Sequence, residues 1–551
     1  MYVDRKDYKY LLAITICFLF VTIRLCEANY IDNEWVYAIG PIKLLQKNFL
    51  ESDPFIGGAL MFTRMYDITI LPIYYYFDEF TATIISRLAI WCFQIWALSM
   101  LARTLGLKWW SFIALFLLWF NITYDTAAGE WVFGSASSKP VSYGFVFLAL
   151  NALLKEKIIQ SGCYSGLALC FHIIVGFWSA VAIFLAAIIK GLETFGVRKI
   201  MIAAIIFCIL GSLIHGPVLY KYYVKNAHLM QSESQSIVRH LQIAEISVLI
   251  ANPFHLDPYF FLTKVKYLLV LGFFIVAYIL LNKTLEAKQF RFISVFWVAS
   301  GAFFAAGLLA RHCDYYKLLM LYPFRLGDGL MPVFFWISVS MYFQSHLEKY
   351  RGGRWLLILL VPLIISLSSL FKATYDASPR DKLVVSVKWN AMVRTEPMLT
   401  INLFKERVDE WRKRIILTVV NDSEEIQLWI RNNSPRNSLF ITPPWDFSFA
   451  LRAERAQFVF YKSVPVDEKI YDWLERMTLL NRGKFERYGY YMLGQLKNNY
   501  PRLTTAEISY IREKYSVDYI LTYSNVYLDF ELIKKNDSYR LYRLHSDIKK
   551  S

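Results

Sequence analysis

From residue 10 to residue 371 the chain is a succession of apolar runs, and from 372 to 551 it is not. A bilayer core of about 30 Å needs about 20 apolar residues in a helix. Eleven stretches approach that length: 9–26, 82–102, 109–124, 140–154, 159–172, 174–190, 199–216, 265–282, 291–310, 327–344 and 355–371. In lipid the backbone must satisfy its own polar groups, so each run reads as a helix. The expected fold class is an α-helical polytopic membrane protein with about eleven transmembrane helices and a soluble C-terminal α/β domain. The expected division is 1–371 for the membrane domain and 372–551 for the tail.

Composition supports this division. Hydrophobic residues make up 56% of the chain and charged residues only 19%, against about 25% charged in soluble domains. The net charge of +16 would suggest nucleic acid in a soluble protein, but here much of the excess sits in short loops between apolar runs. Nucleic acid is therefore excluded as a partner, and membrane lipids are expected. The seven cysteines all lie in or beside apolar segments and form no CxxC pattern, so they read as small packing residues.

The positive-inside rule sets the topology. With the N-terminus in the cytoplasm, the inside loops hold Arg103 and Lys108, Lys155 and Lys157, Lys190 with Arg198 and Lys199, Lys283 with Lys288 and Arg291, and Lys349 with Arg351 and Arg354. The first run reads as an uncleaved span, because Arg24 sits where a cleavage site needs small residues. Residues 60–77 are apolar but contain Arg64, Asp67 and Pro72. They read as a helix lying on the outer face, with Tyr74 to Phe77 at the interface. Three long segments, 27–81, 125–139 and 217–264, then face outward with the tail, and long loops tend to be functional.

In the tail, helix patterns at 424–432 and 505–514 alternate with strand patterns at 438–442, 457–461 and 518–522. Residues 530–544 read as a hairpin. This alternation suggests a small sheet with helices packed on it. No phosphate loop, HExxH or nucleophile elbow is present, so the tail reads as a binding or covering module.

Chemistry is expected at the outer face. Asp32 and Glu34 immediately follow the first span. An acid at a membrane boundary can act as a general base, although an acid there can also simply cap a helix. Arg311, His312, Lys317 and Arg325 gather at the outer end of the ninth span and the start of the tenth. Arginine suits phosphate by its planar fork, while ion pairs with Asp314 and Asp328 are the structural reading. His172 interrupts two apolar runs; it is either a packing residue or a ligand contact. Glu130 and Lys139 flank the second outer loop and could line the same cavity, and His255 and Asp257 could meet an acceptor or form a capped turn. No metal site is readable.

The plan resembles the GT-C superfamily of integral-membrane glycosyltransferases. Those enzymes carry an acid in the first outer loop just after the first span, and many end in a soluble extracytoplasmic domain. The chain is more closely similar to an uncharacterised bacterial branch, through Lys139 to Val146, Phe171 to Trp178, Tyr322 to Asp328, Trp429 to Pro435 and Ser438 to Pro444. The resemblance implies a bacterial inner-membrane glycosyltransferase that takes a sugar from a polyprenyl-phosphate-linked donor. The acceptor would be a glycan, lipid or protein on the periplasmic side. Asp32 matches the catalytic position best and Glu34 second. No cofactor is certain; some members use a divalent cation. The rival readings are a flippase for lipid-linked sugars and an inactive scaffold with an inherited fold. The first would be marked by paired broken helices, which the sequence does not show.

Overall fold

The computed structural model describes residues 5–25, 33–56, 63–122, 127–227, 233–348 and 422–544. The membrane domain begins with α1 (Arg5–Leu25), α2 (Glu34–Leu45), α3 (Arg64–Tyr76), α4 (Glu79–Thr104), α5 (Trp109–Ile122) and α6 (Ser138–Leu154). It continues with α7 (Ile158–Phe171), α8 (Ile173–Phe195) and α9 (Val197–Ala227). A helical connection follows: α10 (Glu233–Glu245), the π-helical turn Ile246–Ala251, and the short α11 (Pro253–Leu256) and α12 (Pro258–Phe261). Then come α13 (Lys264–Thr284), α14 (Ala287–His312), the short α15 (Tyr316–Leu319) and α16 (Arg325–Leu347).

Local chemistry sets these boundaries. Asp78 caps α4 by accepting from Phe80 N and Thr81 N, both at 3.1 Å. Pro253 and Pro258 open α11 and α12 at a position where a missing N–H costs nothing. Gly162 lets α7 lie against α9, because a Cβ there would stand 2.5 Å from Ala203 O.

Six of the described helices are long and apolar enough to cross a membrane; four shorter apolar ones lie at 8–23, 109–122, 138–154 and 158–171. These helices support a polytopic membrane fold, and they do not establish the expected count of about eleven spans. The reason is length: the 14 residues of α5 rise only about 21 Å, short of the ~30 Å core. Most of α5 and α6 is buried among other helices, so their apolar character reflects packing as much as lipid contact. The expected span at 355–371 lies outside the described residues. Of the stretch 60–77, Arg64–Tyr76 is helical as α3, and Tyr75, Tyr76 and Phe77 are exposed.

The bundle has two distinct ends. At one, Lys108 pairs with Glu348 at 3.0 Å and Lys288 with Glu156 at 2.7 Å, and Gln344 donates to Gly106 O at 3.0 Å. The other end carries α2, α3, the loop at 127–137, the segment 233–261, and the C-terminal domain.

That domain is a small mixed sheet with helices on both faces. Helix α17 (Asp422–Asn433) leads to β1 (Leu439–Ile441), α18 (Phe449–Arg452) and β2 (Ala456–Gln457). Helices α19 (Lys469–Leu480), α20 (Tyr490–Asn499) and α21 (Thr505–Tyr515) precede β3 (Tyr519–Tyr523), β4 (Glu531–Lys535) and β5 (Tyr539–Arg543). The strand order is β2-β1-β3-β5-β4. β1 is parallel to β2 and β3, whereas β5 is antiparallel to β3 and β4. Alternation across the pleat separates two cores. Phe440 and Leu521 pack with Ile426 and Ile430 of α17. Ile441 and Ile520 pack with Trp473, Met477 and Ile508 on the other face. The hairpin expected at 530–544 is β4–β5. The strand expected at 457–461 pairs only at Ala456–Gln457 before the chain turns away.

The C-terminal domain is clamped to the bundle end. Phe55 from the segment between α2 and α3, Ile243 from α10 and Ala251 from the π-helical turn lie inside its hydrophobic core. Asp53 accepts from Gln457 N at 3.1 Å. Gly489 N donates to Ile250 O at 2.9 Å, and the Tyr490 ring stacks on Phe254 with centroids 3.7 Å apart.

Candidate functional site

Asp32 lies outside the described residues. Its neighbour Asn33 receives a hydrogen bond from Lys462 of the C-terminal domain at 2.7 Å, so that domain reaches the position next to the acid. Glu34 is fully buried. Arg87 Nε donates to it at 2.8 Å and Nη2 at 2.5 Å, and Ala136 N donates at 2.6 Å. A bidentate pair of this kind fixes geometry: Glu34 ties α2 to α4 and to the loop before α6.

The densest polar centre surrounds Glu130. Arg325 Nε lies 3.2 Å from its carboxylate and Lys139 Nζ 3.4 Å, while Tyr143 donates its hydroxyl hydrogen at 3.0 Å. Asp328, fully buried, holds the backbone of this loop. It accepts from Ala127 N at 2.7 Å, Ala128 N at 3.0 Å and Glu130 N at 2.9 Å. The loop is thus pinned to α16, whose first residue is Arg325. Cation–π contacts add support: Lys139 over Trp131 at 3.6 Å and Arg325 over Tyr322 at 4.2 Å. Tyr322 holds a left-handed backbone, φ 52°, a strained conformation of the kind found at functional sites.

Two histidines complete the centre. His172 occupies the junction between α7 and α8, and its Nδ1 accepts from Val175 N at 3.3 Å. Its Nε2 lies 3.2 Å from Arg325 Nη1, with the roles in that contact set by the tautomer. His255 donates from Nδ1 to Ala128 O at 2.5 Å. Burial pushes its imidazole pKa down to about 4, so the ring is neutral at pH 7.

The structure brings Glu130, Lys139, His172, His255 and Arg325 together. Arg311 belongs to a neighbouring group, pairing with Asp257 at 2.8 Å and Asp314 at 2.6 Å. Asp257 also caps α12 through Tyr259 N at 3.0 Å, as the capped-turn reading expected. His312 and Lys317 are exposed and, among the described residues, make no ion pair or hydrogen bond. Asp328 is the notable difference: it was expected as an ion-pair partner and instead binds backbone N–H groups. Arg87, Tyr143, Tyr322 and Trp131 were not anticipated. A cation within an apolar run was the signal for Arg87, and Tyr143 and Tyr322 lie inside stretches that carry the resemblance. Among the described residues no three His, Cys, Asp or Glu side chains converge as metal ligands.

Comparison with solved structures shows the fold. The chain is an integral membrane protein with a GT-C-like fold. One structure it resembles is the archaeal oligosaccharyltransferase AglB from Archaeoglobus fulgidus, in complex with an inhibitory peptide and a dolichol-phosphate. The TM-score is 0.51 at 11% identity, over 95% of this chain and 70% of that one. At that identity the likeness is one of fold. A family model described as a domain of unknown function (DUF6798) matches residues 421–480, the stretch from α17 to α19. No curated protein matches the chain.

Proposed function

We propose that the chain is a glycosyltransferase moving a sugar from a polyprenyl-phosphate-linked donor to an acceptor at the extracytoplasmic face of a bacterial inner membrane. The observation that supports this reading is the cluster at the bundle end: Arg325 and Lys139 meet on the Glu130 carboxylate, with His172 Nε2 at 3.2 Å from the same guanidinium. Buried cations at the end of a membrane bundle mark a pathway or an anionic partner. The GT-C-like fold agrees, and the similar oligosaccharyltransferase holds a dolichol-phosphate.

The lipid donor enters sideways between helices. Arg325, Lys139 and His172 hold its phosphate, and Glu130 keeps the two cations in place when the site is empty. Asp32 takes the proton from the acceptor hydroxyl. That oxygen attacks the anomeric carbon as the bond to the lipid phosphate breaks, giving inversion. Charge builds up on the leaving phosphate, where preorganised donors stabilise the transition state most.

The test is binding of polyprenyl phosphate to the purified chain. Arg325→Ala is expected to weaken it at least tenfold, with Arg325→Lys intermediate because the fork is lost. Equal affinity in a folded Arg325→Ala protein would remove Arg325 from the donor site.

A further inference from the structure

The C-terminal domain holds a second polar site, away from the Glu130 centre. A cleft of about 480 Å³ opens between the end of α19 and the later half of α20. Amides lock its walls. Asn481 donates to Gly483 O at 3.1 Å and accepts from Asn499 Nδ2 at 3.1 Å. Gln495 joins Glu486 N at 2.8 Å to Arg487 O at 2.7 Å. The rim turn is strained, with Arg482 at φ 59°. Arg482 is neutralised by Glu507 at 2.9 Å. Lys484, Arg502 and Asn498 also line the cleft, and among the described residues their side chains make no hydrogen bond or ion pair.

We propose that this cleft binds a saccharide carrying carboxylate groups. Arg502 and Lys484 supply the charge for a carboxylate, and the Asn498 amide can both donate to and accept from hydroxyls. No aromatic side chain lines the cleft, so nothing there would stack a nucleobase or an apolar chain. Its position adds a reason. Helix α20 carries the cleft at one end and at the other is clasped to the membrane domain through Gly489–Ile250 and Tyr490–Phe254, beside His255. Ten residues separate those ends, about 15 Å. Use of the cleft as an acceptor subsite rests on the transferase reading; the binding itself does not.

The experiment is titration of the full chain in detergent with tri-galacturonate, maltotriose and inorganic phosphate, without any donor. The acidic trisaccharide is expected to bind, to weaken as salt rises, and to lose at least tenfold in affinity in Lys484→Ala/Arg502→Ala. Asn498→Ala is expected to weaken it severalfold. These residues are exposed, so the fold persists. Unchanged affinity in the double variant, equal binding of maltotriose, equally tight binding of phosphate, or no binding of any probe would each overturn the proposal. Since no transfer is measured, such a failure leaves the membrane site's function as a separate question.

Discussion

Asp328→Asn probes the joint that builds the membrane site. The carboxylate receives three backbone N–H groups, two of them on Oδ2. An asparagine has one acceptor oxygen. Placed at the Oδ2 position, it keeps Ala128 and Glu130 but sets its own NH₂ against Ala127 N–H. Hydrogen bonds to a charged group contribute about 1.5–3 kcal/mol each, and a buried orphan donor costs about 1–3 kcal/mol. Weakening of the retained bonds and loss of the third together cost the loop about 2–4 kcal/mol. At about 1.4 kcal/mol per factor of ten, amide exchange in the loop at 127–137 should rise from about thirtyfold to several hundredfold. Hydrogen–deuterium exchange with mass spectrometry measures this, with α19 in the C-terminal domain as an internal reference. Faster exchange confined to the loop supports the argument. A folded Asp328→Asn protein whose loop exchanges within twofold of the parent would refute it.

Further outcomes follow from other contacts. Arg87→Ala removes the guanidinium from the buried Glu34 carboxylate and should destabilise the chain by about 3–5 kcal/mol, whereas Arg87→Met with Glu34→Leu should recover most of that; thermal unfolding in detergent separates the two. Gly489→Val places a Cβ about where the nearest Pro253 ring carbon is 2.7 Å away, on a backbone with φ +63°. It should release the clasp and speed protease cleavage around 250–256, while a cleavage pattern like the parent's would count against the clasp. His255 has its folded pKa lowered to about 4, below the unfolded value near 6.5. Its contribution is therefore present above pH 6.5 and lost as pH falls toward 4, by an order of about 3 kcal/mol. His255→Gln should flatten that part of the pH–stability profile, and an unaltered profile would assign the acid sensitivity elsewhere.

The membrane body was legible in the sequence because hydropathy writes it directly: the chain reverses at the basic loops, and α7 and α8 break at His172. Length was less legible. Apolar helices of 14 to 17 residues, such as α5 and α6, look like spans whether lipid or protein surrounds them. In the tail the strands from 438 and 518 and the final hairpin followed their β-rich patterns. Helices α19 and α20 went unread, because their apolar faces are punctuated by charges and tyrosines. Part of the candidate site was readable from residue type and place, since Glu130, Lys139, His172, His255 and Arg325 converge. What sequence order could not show is which carboxylate serves which partner. Asp328 sits three residues after Arg325 yet bonds to a loop about 200 positions earlier, and Glu34 meets Arg87 across 53 residues. Such pairings arise only when helices assemble.

Transfer of sugar from a lipid phosphate is the activity proposed for this chain. The direct measurement uses proteoliposomes with a labelled pool of polyprenyl-phosphate-linked sugars and follows label into acceptor, for the parent chain and for Asp32→Asn. The parent should transfer with inversion, and Asp32→Asn should fall by about 10²–10⁴-fold, the usual contribution of a general base, with the fold intact. Full activity in Asp32→Asn would remove the assigned base, and no transfer by the parent from any lipid-linked donor would contradict the account itself.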